Sequence, residues 1–537
     1  MGLSIVPRIK NSIHQRWVHQ TSNQRWKRLT AQVVSLSPLR ENQRPVIFFN
    51  ASTRLVGVSQ NAAYSYLTSL GLRAQGVPVI HFLCRAGLQR CVLGSNRDRI
   101  EQAPPCKKCI HQSEQLFTGG AVKWFEYEPD ETLIGELEGF NVERLTKFTY
   151  QDQPLGFWAV NSLRWVLRRN NLKEEIQTRS FLKSFILSAW NVYQQFYALV
   201  EETNPLAVVV FNGMFFPEAA VRQVCLNKGI RVITHEVGIQ PFSAFFTAGE
   251  ATAYPMDIPS DFQLTPEMDK RLDEYLSHRF SGNFTMAGIR FWPEMQKLDD
   301  SLVGKINQYK RIIPVFTNVI FDTSQVHANT MFEDMFQWLD VVFQTVLDHP
   351  ESLFVIRAHP DESRKGKESR ESVADWVKNH GMLDLPNVIF VDSDQYISSY
   401  DLIQRAHIVM VYNSTIGLEA TLIGKPVLTA GKARYTQIPT AFFPQSQAEY
   451  KSVLEKFIKI DEISIPAEYQ KNARRFLYSQ LFLSSLPFGE YLKEDGVWKG
   501  YVTLNEFTAK DLLPENSETM RLLTDGILKE SEFQRQS

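Results

Sequence analysis

The chain has 537 residues, which is too long for one ordinary hydrophobic core, so two domains are expected. Hydrophobic residues make up 44% and charged residues 22%, close to globular averages, and the net charge of −1 argues against a general nucleic-acid binder. No apolar run approaches the roughly 20 residues of a membrane span, and the first 20 residues contain no signal-peptide core. We therefore expect a cytoplasmic protein.

Residues 1–40 form a basic arm. They contain seven lysine or arginine residues and no acidic residue, with Trp17 and Trp26 between them. Such a segment can lie on an anionic membrane surface, or it can form a helix that packs on the body of the protein through its two tryptophans. The thin apolar stripe favours the packed helix, and peripheral contact with the cytoplasmic membrane is the alternative.

Residues 41–305 predict a first lobe with a parallel sheet, because apolar runs alternate with helical patterns. The predicted strands are residues 45–50, 77–83, 207–211 and 231–234. The predicted helices between them are residues 61–74 and 218–228. A helix-rich insert is predicted over residues 156–202, with core positions Trp158, Leu163, Val166, Phe181, Phe185 and Trp190. The more polar residues 251–305 predict the connection between lobes.

Residues 306–450 predict a second lobe of the same kind. Its predicted strands are residues 312–316, 353–357, 388–391, 407–411 and 426–429. Strands that alternate with helices in both lobes predict an α/β protein with two doubly wound, Rossmann-like lobes. Residues 451–537 predict a C-terminal helical segment that packs back across the lobes, with a polar and mobile stretch at 515–537.

Polar residues collect at the carboxyl ends of the predicted strands of the second lobe, where parallel sheets bind ligands. These residues are Thr317, Asn318, His359, Pro360, Asn413, Ser414 and Thr415. Hydroxyl and backbone N–H groups at the start of a helix bind anions, most often phosphate. The alternative is that the hydroxyls cap a helix and the histidine lies in an ordinary loop. Their convergence at one sheet edge favours a phosphate site.

Four of the neighbouring residues suggest more specific roles. Gly417, in the first turn of the predicted helix, leaves room for a bulky ligand. Glu419 can accept hydrogen bonds from ribose hydroxyls, and a surface carboxylate is the alternative. His359 can donate to a phosphate oxygen or protonate a leaving group, and Pro360 fixes the backbone after it.

Three segments together resemble the capsule polysaccharide biosynthesis glycosyltransferases. They are Arg357-Ala358-His359-Pro360, Asn413-Ser414-Thr415-Ile416-Gly417-Leu418-Glu419-Ala420 and Gly424-Lys425-Pro426-Val427. These proteins have GT-B architecture and are similar to bacterial capsule Kdo transferases and, distantly, to polysialyltransferases. The resemblance is strongest over residues 311–435. It extends more weakly to Phe211-Asn212-Gly213 and His235-Glu236-Val237-Gly238.

The resemblance implies a nucleotide-sugar donor, often a CMP-sugar, whose phosphate is held by His359, Ser414 and Thr415. It implies a polysaccharide or glycolipid acceptor and no metal requirement for catalysis. The sequence Asp392-Ser393-Asp394 has the letters of an Asp-x-Asp metal motif, but it precedes a predicted helix and predicts a turn.

The resemblance also implies an acidic catalytic residue on the acceptor side of the N-terminal lobe, and Glu236 is the best match. Polysialyltransferases have an acidic pair before the glycine; here His235 precedes Glu236, which makes His235 a candidate partner. Asn212 and Gly213 lie on the same side. Independently, Glu236 at a strand end would face the cleft, where a carboxylate base contributes roughly 10²–10⁴-fold. An ion pair across the cleft is the alternative.

Three other functions remain open. A teichoic-acid-type polyol-phosphate transferase and a sugar-nucleotide epimerase would share the phosphate site and differ in the N-terminal lobe. A noncatalytic GT-B-like scaffold in envelope polysaccharide assembly would not depend on Glu236.

Four of the five cysteines lie close together in the sequence: Cys84, Cys91, Cys106 and Cys109. Cys106 and Cys109 have the CxxC spacing of a zinc knuckle, whereas the spacing from Cys84 to Cys91 is looser. Disulfides are not expected in a cytoplasmic protein. The cluster predicts either structural zinc or thiols without a metal, with His81 and His111 as substitute ligands. Cys225 stands apart.

Overall fold

A computed structural model describes residues 5–51, 57–280 and 295–536 of the chain, with side chains from residue 14 onward. The strands in these residues are β1 (Val46–Asn50), β2 (Val79–Cys84), β3 (Ala121–Phe125), β4 (Ala207–Phe211), β5 (Arg231–Val237), β6 (Ser243–Thr247), β7 (Arg311–Phe316), β8 (Ser352–Arg357), β9 (Val388–Val391), β10 (Val409–Val411), β11 (Val427–Thr429), β12 (Leu486–Pro487), β13 (Leu492–Glu494) and β14 (Val502–Leu504).

The α-helices of the described residues fall mainly between these strands. They are α1 (Ile5–Leu36), α2 (Gln60–Ala74), α3 (Cys106–Leu116), α4 (Glu131–Glu136), α5 (Val142–Thr146), α6 (Leu155–Leu167), α7 (Ile176–Thr203), α8 (Phe216–Lys228), α9 (Pro266–Phe280), α10 (Asp300–Ile306), α11 (Gln325–Ala328), α12 (Met335–Asp348), α13 (Val373–Asn379), α14 (Ser399–Arg405), α15 (Ile416–Leu422), α16 (Gln447–Lys459), α17 (Ala467–Tyr478) and α18 (Glu518–Leu528).

Two sheets with the same strand order form the centres of two lobes. In the first, the order is β3-β2-β1-β4-β5-β6-β12, and the strands from β3 to β5 are parallel. In the second, the order is β9-β8-β7-β10-β11, and all pairs are parallel. In each sheet the order of the strands therefore reverses beside the first strand. The reversal lies between β1 and β4 in the first sheet and between β7 and β10 in the second. This order is that of a Rossmann fold.

The central strands are apolar on both faces because helices cover both sides of each sheet. Ala207, Val208, Val209 and Val210 have no exposed surface, and neither do the residues from Leu353 to Ile356. Continuous apolar runs of this kind are typical of parallel strands buried on both faces.

The basic arm forms the single helix α1 and packs through one of its two tryptophans. Trp26 is fully buried against Tyr66, with ring centroids 5.4 Å apart, whereas Trp17 is 63% exposed. The Arg25 side chain donates to the Leu504 carbonyl at 3.1 Å. The predicted packing is thus confirmed for Trp26 and wrong for Trp17. None of the helices in the described residues has the length and apolarity to cross a bilayer.

The C-terminal segment packs back across both lobes, as predicted, but it is not purely helical. Helix α17 contacts α9 and α15, and a π turn continues it over Ser479–Leu483. The chain then adds β12 to the edge of the first sheet and forms the β13–β14 hairpin. The prediction of a mobile stretch at 515–537 is wrong, because α18 lies there and packs its buried Met520 and Leu523 with the core around α2.

The structure confirms the predicted fold class: α/β with two Rossmann-like lobes, a helical insert and a C-terminal segment that packs back, which is GT-B architecture. The insert consists mainly of α6 and α7, and all six of its predicted core residues are buried. The main difference concerns Glu236, which lies within the last residues of β5 rather than after the strand. Residues 393–394 form a turn, as predicted, and α14 begins at Ser399.

Candidate functional site

Each sheet has a cavity at the point where its strand order reverses. The first cavity, of about 270 Å³, is lined by Asn50 and Ala51 at the end of β1 and by Phe211 and Asn212 at the end of β4. The second cavity, of about 500 Å³, is lined by Asn318 after β7 and by residues 413–415 after β10. Both positions are those where open α/β sheets bind ligands.

Aromatic and polar side chains both line the first cavity. Its aromatic walls are Phe49, Trp165, Phe211 and Phe215, and its polar groups include Asn50, Asn61, Asn212, Glu218, His235 and Glu236. The predicted acceptor-side residues Asn212, His235 and Glu236 thus come together. The predicted Gly213 does not line the cavity; its φ of +83° forms the turn that follows β4.

Glu236 is held in place by two hydrogen bonds. The Asn212 side-chain amide donates to Oε1 at 2.6 Å, and the Val237 backbone N–H donates to Oε2 at 3.1 Å. Burial raises the pKa of the Glu236 carboxyl, while these hydrogen bonds and the charge of Arg434 oppose that increase. The result is a fixed carboxylate with a pKa above its usual range, as a general base needs.

The partner of Glu236 is Asn212 and not the predicted His235. The His235 ring is fully buried between Phe211 and Phe246, and neither of its nitrogens has a hydrogen-bond partner among the described residues. Burial lowers the pKa of His235 to about 3, so its imidazole is neutral.

Glu218, which the sequence did not single out, is a second carboxyl in the first cavity. It lies in the first turn of α8 and is 7% exposed. Burial raises the pKa of Glu218 to about 8, so this carboxyl is protonated at neutral pH. It can therefore donate a hydrogen bond, whereas Glu236 accepts them.

The second cavity brings together most of the residues predicted for the phosphate site. Asn318, His359, Asn413, Ser414 and Thr415 all line it. The Asn413 backbone N–H donates to Asn318 Oδ1 at 3.2 Å, which ties the end of β10 to the loop after β7.

His359 is arranged as a hydrogen-bond donor. Its Nδ1 accepts the backbone N–H of Asp361 at 3.1 Å, so the proton of the neutral ring is on Nε2. Burial lowers the pKa of His359, and the charge of Asp361 opposes this decrease. A neutral imidazole with a lowered pKa is a poor general acid near pH 7, which favours hydrogen bonding over the predicted protonation of a leaving group.

The hydroxyls of Ser414 and Thr415 do not cap the helix that follows them. Thr415 is at the N-cap of α15, yet its side chain makes no capping hydrogen bond. By contrast, Ser446 at the start of α16 accepts the Glu449 N–H at 3.2 Å. The alternative that these hydroxyls are plain caps is therefore not supported. Because α15 has only seven residues, its dipole is a weaker contribution than the sequence suggested.

Two cations that the sequence analysis missed line the second cavity. Lys432 and Arg434 follow β11, and Arg434 lies over the Tyr254 ring at 4.7 Å. Across the described ranges, neither forms an ion pair with a carboxylate. The sequence did contain a signal for these two cations. They follow the last predicted strand, and residues that follow parallel strands lie at the same edge of the sheet.

The two cavities meet at Asp322, which lines both of them. Its charge opposes the lowering of the His359 pKa and adds to the raising of the Glu236 pKa, so it lies near both groups. Thr323, the next residue, is 3.5 Å from the Asn212 amide. The loop after β7 thus joins the phosphate site predicted in one lobe to the carboxylate of the other.

Four residues predicted for the phosphate site do not line the second cavity: Thr317, Pro360, Gly417 and Glu419. Thr317 donates to the Arg357 carbonyl at 3.0 Å, and Pro360 starts a 3-10 turn. Gly417 leaves room for the Tyr435 hydroxyl, which would lie 2.1 Å from an added Cβ.

Glu419 is buried in an ion pair. Its Oε1 accepts from Arg279 Nε at 2.8 Å, and its Oε2 accepts the Tyr400 hydroxyl at 2.6 Å. Both carboxylate oxygens are engaged, and the side chain is 7% exposed. This placement offers nothing to the ribose predicted for it.

The four clustered cysteines surround one small cavity of about 20 Å³. None of them is in a disulfide. His81 and His111 do not line this cavity, so they are not substitute ligands. In the part of the chain that the structure describes, no three His, Cys, Asp or Glu side chains are gathered closely enough to hold a metal ion as they stand.

Comparison with known proteins supports the family resemblance of the second lobe. Residues 268–439 match the family model described as capsule polysaccharide biosynthesis protein. The resemblance predicted from the sequence is confirmed over these residues. The match covers β7 to β11, and so the carboxyl edge of the second sheet, but not Glu236.

Protein FixF of Sinorhizobium fredii is 36% identical over 241 residues, which are 43% of this chain and 50% of that protein. The chain thus spans about half the length of this curated relative.

Two solved structures are similar at low identity. The beta Kdo 2,4 transferase of Thermosulfurimonas dismutans KpsC is 13% identical with a TM-score of 0.35, over 52% of this chain and 80% of that one. The UDP-GlcNAc 2-epimerase of Neisseria meningitidis is 11% identical with a TM-score of 0.25, over 80% and 95%. Likenesses this loose bear on neither the fold nor the chemistry of the chain.

Proposed function

We propose that the protein is a glycosyltransferase that moves a sugar from a nucleotide-sugar, preferably a CMP-sugar, to a capsule or cell-surface polysaccharide or glycolipid. One observation carries the proposal. The second cavity has two cations and two hydroxyls that do not cap a helix, and it meets, at Asp322, the first cavity, which holds the fixed carboxylate of Glu236. The first arrangement suits a phosphate and the second suits proton removal from a hydroxyl.

The second cavity is the donor site in this proposal. Lys432 and Arg434 supply positive charge, His359 supplies the Nε2 proton, and the Ser414 and Thr415 hydroxyls complete the contacts to phosphate oxygens. These groups stabilise the negative charge that develops on the departing nucleotide, so the reaction requires no metal ion. The match to the capsule polysaccharide biosynthesis family over this lobe supports a sugar nucleotide as the ligand.

The first cavity is the acceptor site. Trp165, Phe211 and Phe215 offer apolar faces to sugar rings, and Asn61 Oδ1 is buried without a hydrogen-bond partner among the described residues. Glu236 takes the proton from the acceptor hydroxyl. The acceptor oxygen then forms a bond to the anomeric carbon, and the bond from that carbon to the phosphate oxygen breaks. The nucleotide leaves with the electron pair.

Peripheral contact with the cytoplasmic membrane belongs to the proposal, because Trp17 and Arg16 on the basic arm are exposed. Sedimentation with vesicles of anionic and neutral lipid tests it. Binding to anionic vesicles that weakens in Trp17→Ala supports this location, and equal sedimentation with both vesicles contradicts it.

The proposal is tested by incubating the protein with CMP-Kdo, CMP-sialic acid, CDP-glycerol and UDP-GlcNAc, each with a mixture of lipid-linked capsule oligosaccharides. Product masses identify what is transferred. Transfer from a CMP-sugar that is lost in Glu236→Gln and kept in Glu201→Gln, an exposed glutamate on α7, supports the proposal.

Other products would favour other functions. Transfer of glycerol phosphate supports a polyol-phosphate transferase, and conversion of UDP-GlcNAc without an acceptor supports an epimerase. No product from any donor supports the noncatalytic scaffold.

A further inference from the structure

The four clustered cysteines lie on a strand end, a loop and a helix start that follow one another in the chain, and they converge on one cavity. Cys84 ends β2, Cys91 lies in the loop that follows, and Cys106 and Cys109 are in the first turn of α3. The cavity has a volume of about 20 Å³, which is the size of a single ion or water molecule. The cysteines are the only lining residues of this cavity whose side chains can bind an ion. The other lining residues are apolar: Ala51, Ala86, Leu88, Pro104, Pro105 and Ile110.

A backbone N–H group is directed at one of the four sulfurs. The Gly94 N–H donates to Cys91 Sγ at 3.1 Å, three residues after the cysteine. A sulfur that accepts a backbone N–H is held in position beside the cavity.

Glycine at position 94 leaves room for this hydrogen bond. A Cβ at Gly94 would lie 2.7 Å from Cys91 Sγ, which is shorter than real Cβ contacts. Another residue there would push the backbone and the sulfur apart.

The charge around the cluster suits a metal bound by four thiolates. A divalent ion with four thiolates carries a net charge of −2. Lys107 and Lys108, which are exposed, are the basic residues between Cys106 and Cys109 in the sequence. Cys225 provides the contrast: it is buried alone in the apolar core of the first lobe.

We propose that Cys84, Cys91, Cys106 and Cys109 form a structural zinc site. Tetrahedral coordination by four sulfurs at about 2.3 Å is typical of structural Zn²⁺. The thiols surround the cavity without being drawn together to this distance, so binding includes rotation of their side chains toward the ion. The inference does not depend on the proposed transferase activity.

The site would hold the wall of the first cavity. Ala51, Leu88 and Cys91 line both the cysteine cavity and the first cavity. A metal bound to Cys91 would restrain the loop after β2, which separates the two. Loss of the metal would therefore loosen the first cavity and leave the second cavity unchanged.

The first experiment measures the metal content of the full-length protein, purified without a chelator or a nickel column, by plasma mass spectrometry. We expect about one zinc per chain in the wild type and in Cys225→Ser, and less than a tenth of that in Cys106→Ser. Removal of the zinc by a chelator should lower the melting temperature of the wild type. A metal-free wild type with five titratable thiols, or Cys106→Ser with full zinc, would overturn the site.

The second experiment avoids variants that fail to fold. The metal-free wild type is titrated with Co²⁺, and its absorption spectrum is recorded. Intense ligand-field bands of tetrahedral cobalt together with thiolate-to-cobalt charge transfer, saturating at one ion per chain and abolished by one equivalent of Zn²⁺, are expected. A weak octahedral spectrum would overturn the four-thiolate site, and the broad visible absorption of an iron–sulfur cluster in the purified protein would overturn zinc as its metal.

Discussion

The two cavities occupy the same topological position but differ in chemistry. The two sheets share one strand order, and each cavity lies where that order reverses. The first cavity lies beside β1 and β4, and the second lies beside β7 and β10. The first is lined by aromatic rings and by the carboxyls of Glu218, Glu236 and Asp322. The second is lined by hydroxyls, amides, two cations and the carboxylates of Glu250, Asp322 and Asp361. The shared topology thus determines where each ligand binds, and the residues after the strands determine which ligand it is.

Under the proposed function, this difference gives each cavity one half of a transfer reaction. A protonated Glu218 and a fixed Glu236 suit a neutral, hydroxyl-rich ligand, because one can donate a hydrogen bond and the other can accept a proton. Lys432 and Arg434 suit an anion. The predictions below change groups in or near the two cavities and measure which property responds, from the largest expected effect to the smallest.

Glu236→Gln should remove the base and leave the donor site intact. We expect kcat to fall by roughly 10²–10⁴-fold, since this is the usual contribution of a general base. CMP affinity should be unchanged. Steady-state kinetics and calorimetry measure the two effects, with Glu201→Gln as the control. A normal kcat would show that Glu236 is a structural residue.

The Glu419→Ala variant should be less stable than the wild type, with no specific effect on nucleotide binding. It leaves the Arg279 guanidinium buried without its carboxylate, which costs about 3–5 kcal/mol. Urea unfolding measures the loss, and replacing both residues by leucine should recover most of it. If Glu419→Ala is as stable as the wild type but binds CMP weakly, Glu419 contacts the ribose as the sequence analysis predicted.

Glu218→Gln should stabilise the protein at neutral and higher pH. The native state keeps a proton on Glu218 up to about pH 8, whereas the unfolded state loses it near the ordinary value of 4.5. The native state therefore binds more protons in this window, and stability falls as pH rises through it, by up to about 1.4 kcal/mol per pH unit.

The gain of Glu218→Gln over the wild type should reach about 3 kcal/mol near pH 7 and vanish near pH 4. Urea unfolding across this range measures it, with the exposed Glu201→Gln as the control. Parallel pH profiles for Glu218→Gln and the wild type would show that Glu218 ionises normally.

Ser414→Ala should weaken nucleotide binding slightly and leave stability unchanged. The lost hydrogen bond is worth about 0.5–1.5 kcal/mol, or roughly 2–12-fold in affinity. Ser446→Ala is the matched control, because Ser446 does cap its helix; it should cost about 0.5–2 kcal/mol of stability and no affinity. If Ser414→Ala instead loses stability like Ser446→Ala, its hydroxyl is structural.

Local patterns predicted the fold and five of the residues that line the second cavity. Apolar runs located the central strands to within a few residues, and the polar residues at their ends brought His359, Ser414 and Thr415 to one place, as parallel strands require. Strands β3, β6 and β12 were missed. Strand β3 is only partly buried, and β12 has two residues and pairs with a strand more than 200 residues earlier.

The partners of individual side chains were not predictable. Glu419 was expected to contact a ligand, but Arg279 approaches it from a helix 140 residues earlier in the chain. Similarly, the sequence suggested that Glu236 pairs with its neighbour His235. In the structure, the pairing of β4 with β5 brings Asn212 beside Glu236. Such partners depend on tertiary contacts, which a single sequence does not reveal.

The most direct test of the account is calorimetric titration of CMP into four proteins: the wild type, the Lys432→Ala/Arg434→Ala double variant, Glu236→Gln and Lys451→Ala. Lys451 is an exposed lysine on α16 and serves as the control. Each lost charged contact is worth about 1.5–3 kcal/mol, so the double variant should bind CMP at least tenfold more weakly while the other three bind it equally. Equal affinity in the double variant, or loss of binding in Glu236→Gln alone, would contradict the assignment of the nucleotide to the second cavity.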